Sequence, residues 1–146
     1  MDLDFAFRIF NFGVVAFWLL LALLPRHRIT TVLVHAPVVP VVYGVAYMVL
    51  LFGDSAGTSG DMMTLDGVAA LLGQKRIAFA GWVHYLIFDL FIGAWESRDA
   101  QRRGVPHLAV VPCLFLTLMF GPVGLLAYLA LRFALKRTVS LTETPA

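Results

Sequence analysis

Few side chains in this sequence can do chemistry, and they sit where water should be scarce. The stretch GWVHYLIFDLFIGAWE, Gly81–Glu96, carries His84, Asp89 and Glu96 among side chains that are otherwise mostly apolar or aromatic. Arg8 and Asn11 lie in an earlier apolar run, and His35 lies in another. An ionisable group inside hydrocarbon costs about 2.5–3.5 kcal/mol on insertion scales, so such groups usually face a bundle interior or a cavity. Their default reading is functional.

Spacing sorts them. Trp82, Asp89 and Glu96 recur every seven residues, a stripe that drifts only about 20° per step on a helix. Tyr85, four residues before Asp89, joins it, and the stripe should point inward. His84 is five residues from Asp89, which places it about 140° around the helix. One face therefore cannot present both to one atom, but the two can flank an elongated ligand or pair with different helices. Arg8 and Asn11, three apart, share a face. Arg8 either snorkels to headgroups or bonds into the bundle toward His84.

By helical rise, Asp89 lies roughly 20 Å from the membrane side near Lys75 and about 10 Å short of the other. His35 falls at similar depth and is the expected partner of Asp89, while Glu96 and His107 approach the far boundary. Trp82, Tyr85, His35, Glu96, Arg8 and Asn11 are the candidate ligand-binding residues. His35, Asp89, Glu96 and His107 also carry atoms that suit iron or zinc. Neither HExxH nor a paired ExxH spacing accompanies them, so no metal ligand is assigned and the cofactor stays open. Serine or cysteine nucleophile motifs and phosphate-binding glycine loops are absent from the sequence.

The elements that must position these groups follow from composition. The chain is 60% hydrophobic and 14% charged, against about 45–50% and 25% in soluble domains. That composition specifies an integral membrane protein. Four apolar runs approach the roughly 20 residues that a 30 Å hydrocarbon core requires: Phe5–Leu24, Thr31–Phe52, Ile77–Trp95 and Leu108–Leu131. Strand alternation is missing, so the fold class is all-α, a four-transmembrane-helix bundle spanning residues 1–146 as one domain.

Met62, Leu65, Val68, Ala69 and Leu72 predict a short interfacial helix between the second and third spans, with Asp61 as N-cap and Gly73 as stop. The preceding GDSAGTSGD reads as a flexible loop, and Lys136–Ala146 as a surface segment without fixed structure. Pro37 and Pro40 should kink the second span and open space beside it. Gly121-Pro122-Val123-Gly124 should weaken or bend the fourth. The acidic start and long first apolar run argue for a permanent helix over a cleaved signal.

With four spans the basic residues split six to five between the two sides, which leaves orientation open. A net charge of +2 without a basic, aromatic-interleaved stripe excludes a nucleic-acid partner. The lone Cys113 cannot form an internal disulfide. Membrane lipid is the expected partner, and a unit this small with glycine and proline in its helices invites a homodimer.

Trp82-Val83-His84, then Phe88-Asp89-Leu90-Phe91, a short charged turn and Gly121-Pro122-Val123-Gly124 together resemble the abscisic-acid-deficient-type membrane family. That family is named after a plant plastid protein required for neoxanthin synthesis, and the similarity covers Phe5–Arg132. The resemblance implies a carotenoid or isoprenoid ligand and a non-redox isomerisation of the violaxanthin-to-neoxanthin type. It also implies a bacterial member in the inner membrane, since no transit peptide is evident.

Opening an epoxide to an allene needs an acid at the epoxide oxygen and a base at a polyene proton. A carboxyl group in hydrocarbon and a histidine both suit proton transfer near neutrality. On this resemblance Asp89 and His84 are the candidate catalytic residues, acting at different atoms of a long lipid. A non-catalytic carotenoid-binding subunit and a metal- or haem-containing redox protein are the alternatives.

Overall fold

The computed structural model describes residues 2–53 and 59–142. Among them the chain is helical, with α1 Leu3–Leu23, α2 Arg28–Leu33, α3 Val38–Phe52, α4 Leu65–Leu72, α5 Lys75–Arg103, α6 His107–Phe120 and α7 Pro122–Lys136. Three runs are long and apolar enough to cross a membrane: Leu3–Leu23, Arg28–Phe52 and Lys75–Arg103.

Each element has a local cause. The Asp2 carboxylate caps α1 by accepting from the Asp4 and Phe5 amides, which places an anion at the positive helix end. The Arg28–Phe52 run breaks over residues 34–37, because Pro37 has no N–H to continue α2 and instead caps α3. Pro40 falls in the first turn of α3, where a missing N–H costs nothing. The space expected beside these prolines is a real cleft. α4 is capped by Thr64, whose hydroxyl accepts from Gly67 at 3.0 Å, and it stops at Gly73. Asp61, expected as the cap, instead holds the preceding turn through the Met63 and Thr64 amides. The predicted flexible loop falls partly on residues 54–58, outside the described residues.

α5 is the axis of the fold. It packs against α1, α3, α4, α6 and α7 and runs past its expected end at Trp95 to Arg103, where Gly104 closes it in the left-handed conformation. Most of the predicted charged link therefore belongs to the helix.

The fourth apolar run departs most from expectation. It is two helices folded back to back. α6 descends antiparallel to α5, with the His107 ring on the Ala22 carbonyl at 2.8 Å and the Leu118 carbonyl accepting from Tyr85 at 3.0 Å. α7 then returns parallel to α5, so that Tyr128 and Arg132 both reach Asp99. At about 21 and 22 Å, each limb is shorter than the hydrocarbon core.

Gly121, at φ 46° and ψ −97°, makes the reversal in a conformation that an L side chain resists. Gly124 lets the limbs touch, since a Cβ there would collide with the Thr117 backbone. Beyond α7, the tail is tied back: Arg103 donates to Thr138 Oγ1 and to the Ser140 and Thr142 carbonyls. The predicted unstructured tail is thus anchored through residue 142.

Candidate functional site

Asp89 is the middle residue of α5, so it sits about 21 Å along the rise from either end of that helix and near the membrane midplane. It faces the reversal of the α6–α7 hairpin. A Cβ on Gly121 would stand 2.8 Å from Asp89 Oδ1, so the bare glycine, already required by its positive φ, also leaves this carboxyl group its present position. Irregular backbone at membrane depth is tolerated where it is buried in protein or lines a cavity, and here it abuts an ionisable group. Asp89 Oδ2 is buried with no hydrogen-bond partner among the described residues. The Tyr85 hydroxyl donates to the Leu118 carbonyl at 3.0 Å and also lies close enough to the Asp89 carboxyl group to contribute a second, weaker hydrogen-bonding interaction.

Glu96, two turns further along, is completely buried. Both of its oxygens lie within bonding distance of the Thr117 hydroxyl, at 2.9 and 3.2 Å, and the Cys113 carbonyl on the Thr117 helix is the competing acceptor for that single proton, at 3.0 Å. Asp99 is buried as well, but it is saturated. It accepts from Tyr128 at 2.6 Å, Arg132 at 3.0 Å and Arg103 at 2.8 Å. The sequence reading missed Asp99, Tyr128 and Arg132. Extending the Tyr85–Asp89–Glu96 stripe by one more step of three would have reached Asp99. Arg132 was hidden because α7 was expected to run the other way.

The other candidates divide. Trp82 Nε1 donates to Asn11 Oδ1 at 3.0 Å, which brings two of the predicted binding residues together. Trp82 is nonetheless 40% exposed, and it borders a cleft of about 340 Å³ with Leu3, Phe7 and Phe79. His84 lies on a different face of α5 from Asp89, as the angular spacing requires. It stacks on Phe88 with centroids 4.5 Å apart and approaches Tyr47 of α3.

His35 does not pair with Asp89. Its Nδ1 meets Arg98 at 3.1 Å, because the break after α2 sets it level with the later turns of α5. Arg8 is exposed and has no hydrogen bond or ion pair within the bundle among the described residues. His35, Asp89, Glu96 and His107 thus have different neighbours, and no group of three or more His, Cys, Asp or Glu able to hold a metal forms among the described residues.

Along α5 the carboxyl groups thus run from the Arg103 end to the hairpin reversal, with Asp99 held by three donors, Glu96 by Thr117 and Asp89 Oδ2 by none among the described residues. A family model described as ABA DEFICIENT 4-like matches residues 5–128. Protein ABA DEFICIENT 4, chloroplastic, of Arabidopsis thaliana is 24% identical over 124 residues, covering 80% of this chain. The chain spans 55% of that relative's length. No solved structure matches it.

Proposed function

The chain belongs to the ABA DEFICIENT 4-like family, and on that premise we propose that it acts within the membrane on a carotenoid or related isoprenoid lipid, as a non-redox isomerase. We take the membrane to be a bacterial inner membrane. The observation that carries the reading is Asp89, with a carboxyl oxygen left without a partner at mid-membrane against a glycine-only reversal. Buried polar atoms are nearly always bonded, so an exception calls for a use.

Asp89 supplies the chemistry without an oxidant. A protonated carboxyl donates to the oxygen of an epoxide as its C–O bond breaks. The resulting carboxylate removes a proton from the neighbouring polyene carbon as the allene forms. One proton enters and one leaves, so the product is an isomer and Asp89 returns to its starting state. His84, on another face beside Phe88, is proposed to meet a different part of a long ligand.

The test supplies membranes containing the protein with an epoxide-bearing xanthophyll and separates the products by chromatography. Wild type should yield a product of unchanged mass, and Asp89→Asn none, although that variant inserts and purifies normally. Equal turnover by the variant would remove Asp89 from the mechanism.

A second reading, a non-catalytic pigment-binding subunit, draws on the aromatic cleft of Phe7, Phe79 and Trp82. A structured polyene spectrum in purified protein with no turnover would favour it, whereas a Soret band would favour the haem alternative.

A further inference from the structure

On the side of α5 away from the hairpin, a second stripe, Ile87, Leu90, Phe91, Ala94 and Arg98, faces the break between α2 and α3. Together with His35 and the prolines of the break it encloses a cleft of about 350 Å³. Nothing in the proposed isomerisation uses this cleft.

Its two ends differ in chemistry. At one end Arg98 Nη1 and His35 Nδ1 are 3.1 Å apart. A guanidinium can only donate, so Nδ1 accepts and the ring proton resides on Nε2. That Nε2 is buried and has no acceptor among the described residues. The rest of the lining is apolar, and Phe91 at its rim is 57% exposed, so the cleft opens outward.

Depth orders these ends. Arg98 is nine residues beyond Asp89, about 13 Å toward the Arg103 end, and half the hydrocarbon thickness is about 15 Å. The guanidinium therefore stands at headgroup level, while Ile87 and Phe91 stand near the midplane. A polar, cationic top over an apolar body has the form of a single membrane lipid.

We propose that this cleft is a specific site for an anionic phospholipid. Arg98 and the His35 Nε2–H take the phosphate oxygens, and one acyl chain lies along Ile87, Leu90 and Phe91. The planar guanidinium suits phosphate in both charge and geometry, and a phosphate oxygen is the acceptor that the imidazole N–H lacks. The charge around it favours a lipid source, because Arg26, Arg28, Arg102 and Arg103 also lie at this end of the bundle and draw anionic lipid to it.

The test uses the full chain in detergent, read by thermal unfolding and by native mass spectrometry. Phosphatidylglycerol should raise the melting temperature saturably and remain bound as one lipid. Phosphatidylcholine and inorganic phosphate at equal concentration should not. Arg98→Gln should weaken phosphatidylglycerol binding by about tenfold or more, the loss expected for a charge-assisted contact. Ile87→Trp fills the apolar limb without touching a polar group and should exclude the lipid, so it decides the matter even if Arg98→Gln fails to fold. Arg28→Gln, exposed and outside the cleft, should lose only the weak long-range attraction of one surface charge, far less than Arg98→Gln loses. Equal stabilisation by phosphatidylcholine or inorganic phosphate, an equal loss in Arg28→Gln, or undiminished binding in Ile87→Trp would each overturn the site.

Discussion

Asp89 and Asp99 are ten residues apart on α5, both turned toward the α6–α7 hairpin, and they are treated in opposite ways. Asp99 receives Tyr128, Arg132 and Arg103, whereas Asp89 Oδ2 has no donor among the described residues. The hairpin produces the difference. Its returning limb carries a tyrosine and an arginine, one turn apart, to the level of Asp99, while its reversal offers Asp89 a glycine with no side chain at all. The same element thus closes one carboxyl group into structure and leaves a buried oxygen of the other without a bonded donor among the described residues.

Asp99→Asn gives the largest expected effect, because it removes the charge facing the fully buried Arg132. Breaking a buried pair costs about 3–5 kcal/mol, mostly from the ion left behind. Thermal unfolding in detergent should show a drop of many degrees, with product formation lost along with the fold. Asp89→Asn should lose product formation without that drop. If the two variants exchanged phenotypes, the assignment of structural and chemical roles would be reversed.

Gly124→Ala tests the hairpin as the source of the contrast. The added methyl meets Thr117 backbone atoms, which cannot swing aside as a side chain would. Overpacking of this kind costs about 1–3 kcal/mol, less than the Asp99 lesion. It should also force the limbs apart and pull Thr117 from Glu96. Unchanged unfolding in Gly124→Ala would show that the limbs do not pack closely.

Much of this was legible in the sequence, and the part that was not has a physical reason. Helices, their apolar lengths and the inward turn of Asp89 and Glu96 follow from period and hydropathy, which are local. The hairpin does not. Gly121-Pro122 marks a weak point in an apolar run, but a bend and a reversal share that signal, and packing of Gly124 on Thr117 decides between them. The His35–Arg98 contact was equally hidden, because the break after α2 alters how depth maps to residue number.

The reversal also settles a count that the sequence left balanced. It moves Arg132, Lys136 and Arg137 to the end that holds Arg26, Arg28, Arg98, Arg102 and Arg103, leaving Arg8, Lys75 and Arg76 opposite. The positive-inside rule therefore predicts that the Arg103 end faces the cytoplasm. A reporter fused after Ala146 should be active only if it is of a kind that works in the cytoplasm.

Asn11→Leu marks the small end of the scale. The Trp82–Asn11 bond joins α1 to α5 through neutral groups at an exposed indole, far from the hairpin. Interhelical hydrogen bonds of this kind in membrane proteins average about 0.6 kcal/mol, because the separated helices find other partners. The variant should therefore shift the unfolding midpoint only slightly and leave the Asp99 network intact. A loss as large as that of Asp99→Asn would mean that position on the α1 side of α5 matters as much as burial and charge, and the contrast between the two aspartates would then need another cause.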